Sequence, residues 1–323
     1  MKGFDKKYKD FPDYILGITN EIWEQRGIEK LYDYYSKDIP VRSPDALVIG
    51  NQNVIDATRA TLKEFPDREL LGEDVIWSGS PEEGMLSSHR ILSTATHNGK
   101  GVFGNATGTK LVYRVIADCH AINNQINDEW LVRDQGSIVK QLGWEPKQYA
   151  EELIKKEKKL NSIIVPFTDK IDVEGPYKGN GNDNHWGINY ESVLNDIMSL
   201  KYSSIENNYD RAVHTEYAGG ITGHSFKAVK KFWSDLRTAF PNSKFQIHHR
   251  IGREDPMLSP RAAIRWSLSG KHEGNGIFGK PSNAEVYILG ISHVEFGPWG
   301  IRKEYSLYDE VAVWKQILIN FTN

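Results

Sequence analysis

The sequence predicts an α+β protein made of two tandem cone-shaped α+β barrels, each with N-terminal helices packed in a curved, mostly antiparallel sheet. Three observations predict it: an ungapped internal repeat, apolar residues at helical spacing early in each copy, and strand-like segments between turns later in each copy. Helices followed by strands, rather than alternating with them, indicate α+β.

The repeat comes first, because it fixes the domain organisation. Adding 175 to a residue number in the first half carries Phe65-Pro66 onto Phe240-Pro241, Arg90 onto Arg265, Glu129 onto Glu304 and Asp134 onto Asp309. His97-x-Gly99-x-Gly101-x-Phe103-Gly104 returns as His272-x-Gly274-x-Gly276-x-Phe278-Gly279, and Lys140-Gln141 as Lys315-Gln316. One offset without a gap, over motifs of this length, indicates duplication. The units are placed at residues 14–144 and 189–320, with a helical and loop linker at 145–188.

Each unit opens with helices. Over Tyr190–Leu200 the apolar residues Val193, Leu194, Ile197 and Met198 share one face. Ser225–Phe240 repeats the habit and stops at Pro241-Asn242; Asn53–Phe65 matches it in the first unit, stopped by Pro66-Asp67. Strands are expected at Ala262–Ser269, Ala284–Ile291 and Ile301–Leu307, where β-branched and aromatic residues run between Gly, Pro and Asn turns. A short helix, Glu310–Ile319, closes the unit. In the linker, Pro146–Leu160 is rich in Lys and Glu and reads as a solvated helix, while Gly175–Asn184 is turn chemistry throughout. The apolar stretch Ile163–Phe167 is expected to lie against one of the units.

Composition narrows the function classes. Hydrophobic residues make up 39% and charged residues 26%, the balance of a folded globular chain. A net charge of −3 supplies no basic field for nucleic acid or an anionic membrane. The Lys- and Asp-rich start is not a secretory signal, and no apolar run is long enough for a membrane helix, so a cytoplasmic setting is expected. The single cysteine, Cys119, excludes an intrachain disulfide and a Cys-rich metal site.

The run Ile264–Gly279, with Glu304-Tyr-Ser-Leu-Tyr-Asp309 and Val313-Trp-Lys-Gln316, is similar to SnoaL-like polyketide cyclases. The first unit carries the same marks in His97-Asn-Gly, Phe103-Gly, Thr107-Gly108, Glu129–Asp134 and Lys140–Gly143. That family belongs to the nuclear transport factor 2-like superfamily of cone-shaped barrels. The resemblance covers both repeats but not the linker. It implies aldol-type ring closure of polyketide esters, with an aspartate of the last-strand motif as general acid/base and neither metal nor organic cofactor. By position those aspartates are Asp134 and Asp309. The chain departs from the family at Ser282-Asn283 and Asn123-Asn124, which leaves a polyketide substrate open.

The residues themselves leave alternatives. Alternation puts Trp130, Val132 and Asp134 on one strand face, and Tyr305, Leu307 and Asp309 on the matching face. If that face lines the cone, each carboxyl is desolvated and becomes a better base near neutral pH. Otherwise each Asp caps the following helix. His97 and His272 either donate to a developing enolate oxygen or pin the hairpin. Arg90 and Arg265 are expected to pair with Glu129 and Glu304. His248, with His249, Arg250, His293 and Glu295, is expected as a polar wall of the second cone. Metal binding there is disfavoured, because adjacent histidines point to opposite faces. Trp266 is a further candidate for substrate contact. The leading expectation is a small apolar carbonyl or ester ligand and an acid–base cyclisation or isomerisation. The rivals are a hydrolase or dehydratase in the same cone, and a non-catalytic binding or interaction protein. The two units are expected to pack as an intrachain pseudo-dimer, with a homodimer open.

Overall fold

In a computed structural model that describes residues 1–320, the chain forms two six-stranded sheets, each curved around helices. The first unit holds α1 (Phe11–Thr19), α2 (Leu31–Tyr34), β1 (Pro40–Ser43), β2 (Ala46–Ile49) and α3 (Asn51–Glu64). Then come β3 (Glu69–Ser80), β4 (Gly84–Thr96), β5 (Lys110–Ile122), β6 (Gln125–Arg133) and α4 (Gln135–Gln141). The linker helix is α5 (Pro146–Lys159). The second unit holds α6 (His185–Met198), α7 (Ser203–Asn208), β7 (Tyr209–Tyr217), β8 (Ile221–His224) and α8 (Ser225–Ala239). It closes with β9 (Lys244–Arg253), β10 (Arg261–Lys271), β11 (Glu285–Gly297), β12 (Gly300–Tyr308) and α9 (Glu310–Asn320).

The strand orders are β2-β1-β6-β5-β4-β3 and β8-β7-β12-β11-β10-β9. In each sheet one pair is parallel, β1 with β6 and β7 with β12, and the rest are antiparallel. The repeat offset holds at the level of register. Val115 faces Arg133 across β5 and β6, and Gly290 faces Tyr308 across β11 and β12.

The two sheets meet through their outer faces. Ile116, Trp130 and Val132 of the first pack with Tyr287, Leu289, Ile291, Tyr305 and Leu307 of the second, and linker residues Phe167 and Tyr177 are buried among them. Buried ions and hydrogen bonds cross this seam. Arg265 donates to Asp118 at 2.8 Å and lies over the Trp130 ring, and Arg90 lies over the Tyr305 ring. Arg90 pairs with Glu73 at 2.9 Å. The expected pairing of both arginines with Glu129 and Glu304 is therefore corrected: the arginines point to the seam, whereas those glutamates point into the cones.

Outside the seam, α5 is solvated on one side only, because Tyr149, Ala150 and Ile154 are buried and Lys315 of α9 reaches Glu157 at 2.7 Å. Of the stretch expected to lie against a unit, Phe167 is buried but Ile163, Ile164 and Val165 are exposed. No helix among the described residues is long and apolar enough to cross a membrane.

Candidate functional site

The two cones share a frame but not an interior. The second is filled. Trp233, Trp266 and Phe240 are fully buried there, with Trp266 over Gly290, where a Cβ would sit 2.2 Å from the indole. Its buried carboxylate, Glu304, accepts from Tyr217 at 2.6 Å, Tyr190 at 2.9 Å and the Trp233 indole at 3.2 Å. Those donors hold a carboxylate that burial alone pushes up.

The first cone is hollow, with a cavity of about 330 Å³. The difference lies in a few paired positions. Where the second cone carries Phe232, Trp233, Trp266 and Gly290, the first carries Ala57, Thr58, Ile91 and Val115, all of which line the hollow. The remaining wall is largely aliphatic, from Val41, Val48, Val54, Leu70, Ala117 and Leu131, with Trp23 beside them.

Glu129 of β6 lines this cavity at the position of Glu304. Burial pushes its carboxyl up to about 7, opposed by the nearby Tyr35 hydroxyl and assisted by Asp128. It thus switches between acid and base near neutral pH. His89 lines the same space, and burial lowers it to about 4, so it is neutral at pH 7. Its Nδ1 lies 3.3 Å from Ser87 Oγ. Arg68 and Arg133 bring two cations to the wall, which also carries Thr19, Ser43, Thr61 and Gln135.

Asp309 comes to this cavity from the other unit. It lines the hollow beside Pro44 and Asp45 of the β1–β2 turn. One carboxylate oxygen caps α9, accepting from Val311 at 2.8 Å and Ala312 at 3.1 Å. Burial and then the Asp45 charge push it up to about 8. Asp134 has the opposite setting. It accepts from Ser137 of α4 at 3.0 Å, and from Gly219 and Gly220 of the β7–β8 turn at 2.8 and 2.9 Å. Burial raises it to about 6 against those bonds.

The two turns are repeat partners, yet they are chemically different. Gly219 and Gly220 take positive φ, 84° and 69°, which aims consecutive N–H groups at Asp134. Their counterparts are Pro44, which has no N–H, and Asp45, which repels a second carboxylate.

The other candidate residues lie elsewhere. Trp130 and Tyr305 face the seam between the sheets, not a cavity. Strand alternation is correct, but the inward face is one residue off: Glu129, Leu131 and Arg133 line the hollow. His97 pins the β4–β5 connection, with Nε2 3.2 Å from Glu64 and Nδ1 3.1 Å from Thr107. His272 repeats this with Ser282 at 3.0 Å. His293 is buried in the seam, 2.7 Å from Ser88 Oγ. His248 bonds Ser267 at 2.7 Å, while His249 packs on Tyr177. Trp266 fills the second cone. Only Asp309 among the candidates lines the hollow. Glu129 was visible in the sequence but assigned to an arginine, and His89, Arg68 and Arg133 were missed. The signal for them was the list of positions where the two copies differ in size or charge. A polar cleft of about 620 Å³ between the units holds Asp134, Arg114, Lys140 and Glu216. Its charges are satisfied, with Arg114 on Glu216 at 3.0 Å and Lys140 on Glu310 at 2.8 Å.

No family model matches the chain, and no match is found among curated proteins. Among solved structures, the chain is similar to IdmH of Streptomyces antibioticus, a candidate polyketide cyclase, at 18% identity and a TM-score of 0.36, over 41% of this chain and 98% of that one. It is similar to AclR of Streptomyces galilaeus, a candidate hydroxylase, at 21% identity and a TM-score of 0.34, over 39% and 90%. A SnoaL-like polyketide cyclase from Agrobacterium tumefaciens shows 18% identity and a TM-score of 0.32, over 40% and 94%. Each likeness is the length of one cone.

Proposed function

We propose that the first cone is an acid–base site for a small, largely apolar carbonyl or ester compound, working without an organic cofactor, and that the second cone is its scaffold. In this reading Glu129 is the base. It takes a proton from the carbon next to the carbonyl, and the enolate then closes a ring or is reprotonated as an isomer. Asp309, held protonated at neutral pH, serves the cavity as the hydrogen-bond donor to the developing oxyanion. Two carboxyl groups titrating near neutrality in one partly apolar hollow suit such proton traffic. The units act as an intrachain pseudo-dimer, because the hollow of one cone is lined in part by a residue of the other.

The observation that carries this reading is the contrast between repeat partners: Glu304 is enclosed by donors, whereas Glu129 faces a cavity. The test uses cyclohexanone deuterated at its α-carbons, followed by NMR as deuterium is lost to water. The wild-type protein accelerates the loss over buffer, with a rate that rises as pH passes about 7. Glu129→Gln, nearly the same shape, brings the rate back to buffer. An unchanged rate in a folded Glu129→Gln protein removes Glu129 as the base.

A further inference from the structure

Two arginines line the hollow without a counter-ion. Arg68 is 6% exposed and donates from Nε to Ser93 Oγ at 3.3 Å; the Nε of Arg133 is buried and has no partner. No carboxylate among the described residues lies within ion-pair distance of either guanidinium, although eight other arginines form such pairs. Their shared neighbour is the Tyr113 phenol. Burial would raise its pKa, but Arg68 and Arg133 together bring it below its ordinary value. Arg68 is itself lowered, by burial and then by the like charge of Arg133, against the attraction of Tyr113.

An arginine does not shed its proton in a protein, so two neighbouring like charges, Arg68 buried and Arg133 half-buried, are a standing cost unless something neutralises them. Nothing in the fold demands the pair. The same positions in the second unit are Ser243 and Tyr308, and that cone packs well without a cation. The charges therefore go with the hollow and not with the scaffold.

We infer that the first cone takes an amphipathic carboxylate, its anionic end held by Arg68 and Arg133 and its apolar part against Leu70, Ile91 and Leu131. The guanidinium fork matches a carboxylate in two parallel hydrogen bonds. The aliphatic wall gives the rest of the molecule a dry site. This rests on the acid–base reading above and narrows it. The carbonyl compound becomes a carbonyl acid, and its carboxylate sets which carbon faces Glu129.

The test is binding at pH 7.5 in moderate salt, by calorimetry, with octanoate and 1-octanol as matched probes. Octanoate should bind the wild-type protein about tenfold more tightly than octanol, the worth of roughly one charge-assisted pair. That preference should fall to about twofold or less in Arg68→Gln and in Arg133→Gln. The comparison on the wild-type protein stands even if a variant does not fold. Equal affinity for the two probes, or an undiminished preference in both folded variants, overturns the inference and leaves the Glu129 reading intact. Octanoate preference without Glu129-dependent exchange does the reverse. If neither probe binds, the carboxylate inference falls, and the Glu129 reading is still decided by the cyclohexanone exchange.

Discussion

Replacing Trp233 by Thr, the residue at the matching place in the first unit, should be far more damaging than Thr58→Ala. Trp233 is fully buried, packs edge-on against Phe232 at 5.0 Å and Trp266 at 5.5 Å, and donates to Glu304 at 3.2 Å. Removing a buried indole costs about 3–5 kcal/mol, through lost transfer energy and the void left behind. Leaving Glu304 one donor short adds about 1 kcal/mol. The sum is about 4–6 kcal/mol, which at a urea slope of about 2 kcal/mol/M lowers the midpoint of the second unit's transition by about 2–3 M. Thr58 already borders open space, so its truncation removes few contacts and should cost about 1 kcal/mol or less. Urea unfolding followed by far-UV circular dichroism reads both variants. A cost under about 2 kcal/mol for Trp233→Thr would mean that the second cone is not sealed by packing, and equal costs for the two variants would refute the contrast.

Asp309→Asn should stabilise the protein increasingly with pH. The carboxyl is raised to about 8 from 3.8, so the folded state holds its proton where the unfolded state has lost it, and stability falls as pH rises from about 4 to about 8. The variant lacks that loss. Its advantage should grow from near zero at pH 4 towards about 5 kcal/mol at pH 8.5, at about 1.4 kcal/mol for each of the roughly four pH units between 3.8 and about 8, and a pH-independent difference in Tm would contradict the assignment. Asp134→Ala removes the acceptor of three backbone N–H groups on both units. It should cost about 2–4 kcal/mol and speed amide exchange at Gly219 and Gly220; unaltered exchange there would show that the carboxylate does not hold the turn.

The scaffold was legible because duplication wrote it twice. The helix at Ser225–Phe240 is α8, and the closing segment at Glu310–Ile319 is α9. Strand ends were less so: β11 runs on to Gly297, through Ser292, His293 and Glu295, which interrupt the apolar run although Val294 and Phe296 continue it. The inward face of β6 was misread for a physical reason. Trp130 and Val132 face a buried seam while Glu129 and Leu131 face a cavity, so both faces look like interior and neither marks itself as outside. Asp309 could be assigned a cap or a cavity from the sequence, and it occupies both settings at once. That it reaches the other unit's cavity depends on how the sheets dock, which no local pattern encodes. The arginine pair was legible in principle, since Arg68 against Ser243 and Arg133 against Tyr308 are departures that duplicated packing does not explain.

The most direct measurement is a crystal structure of the protein soaked with cyclohexanone. The ketone should sit inside the first cone with Glu129 at its α-carbon, and the second cone should be unchanged around Trp233, Trp266 and Glu304. A ketone seated beside Glu304, or a first cone closed with no room beside Glu129, would contradict the account.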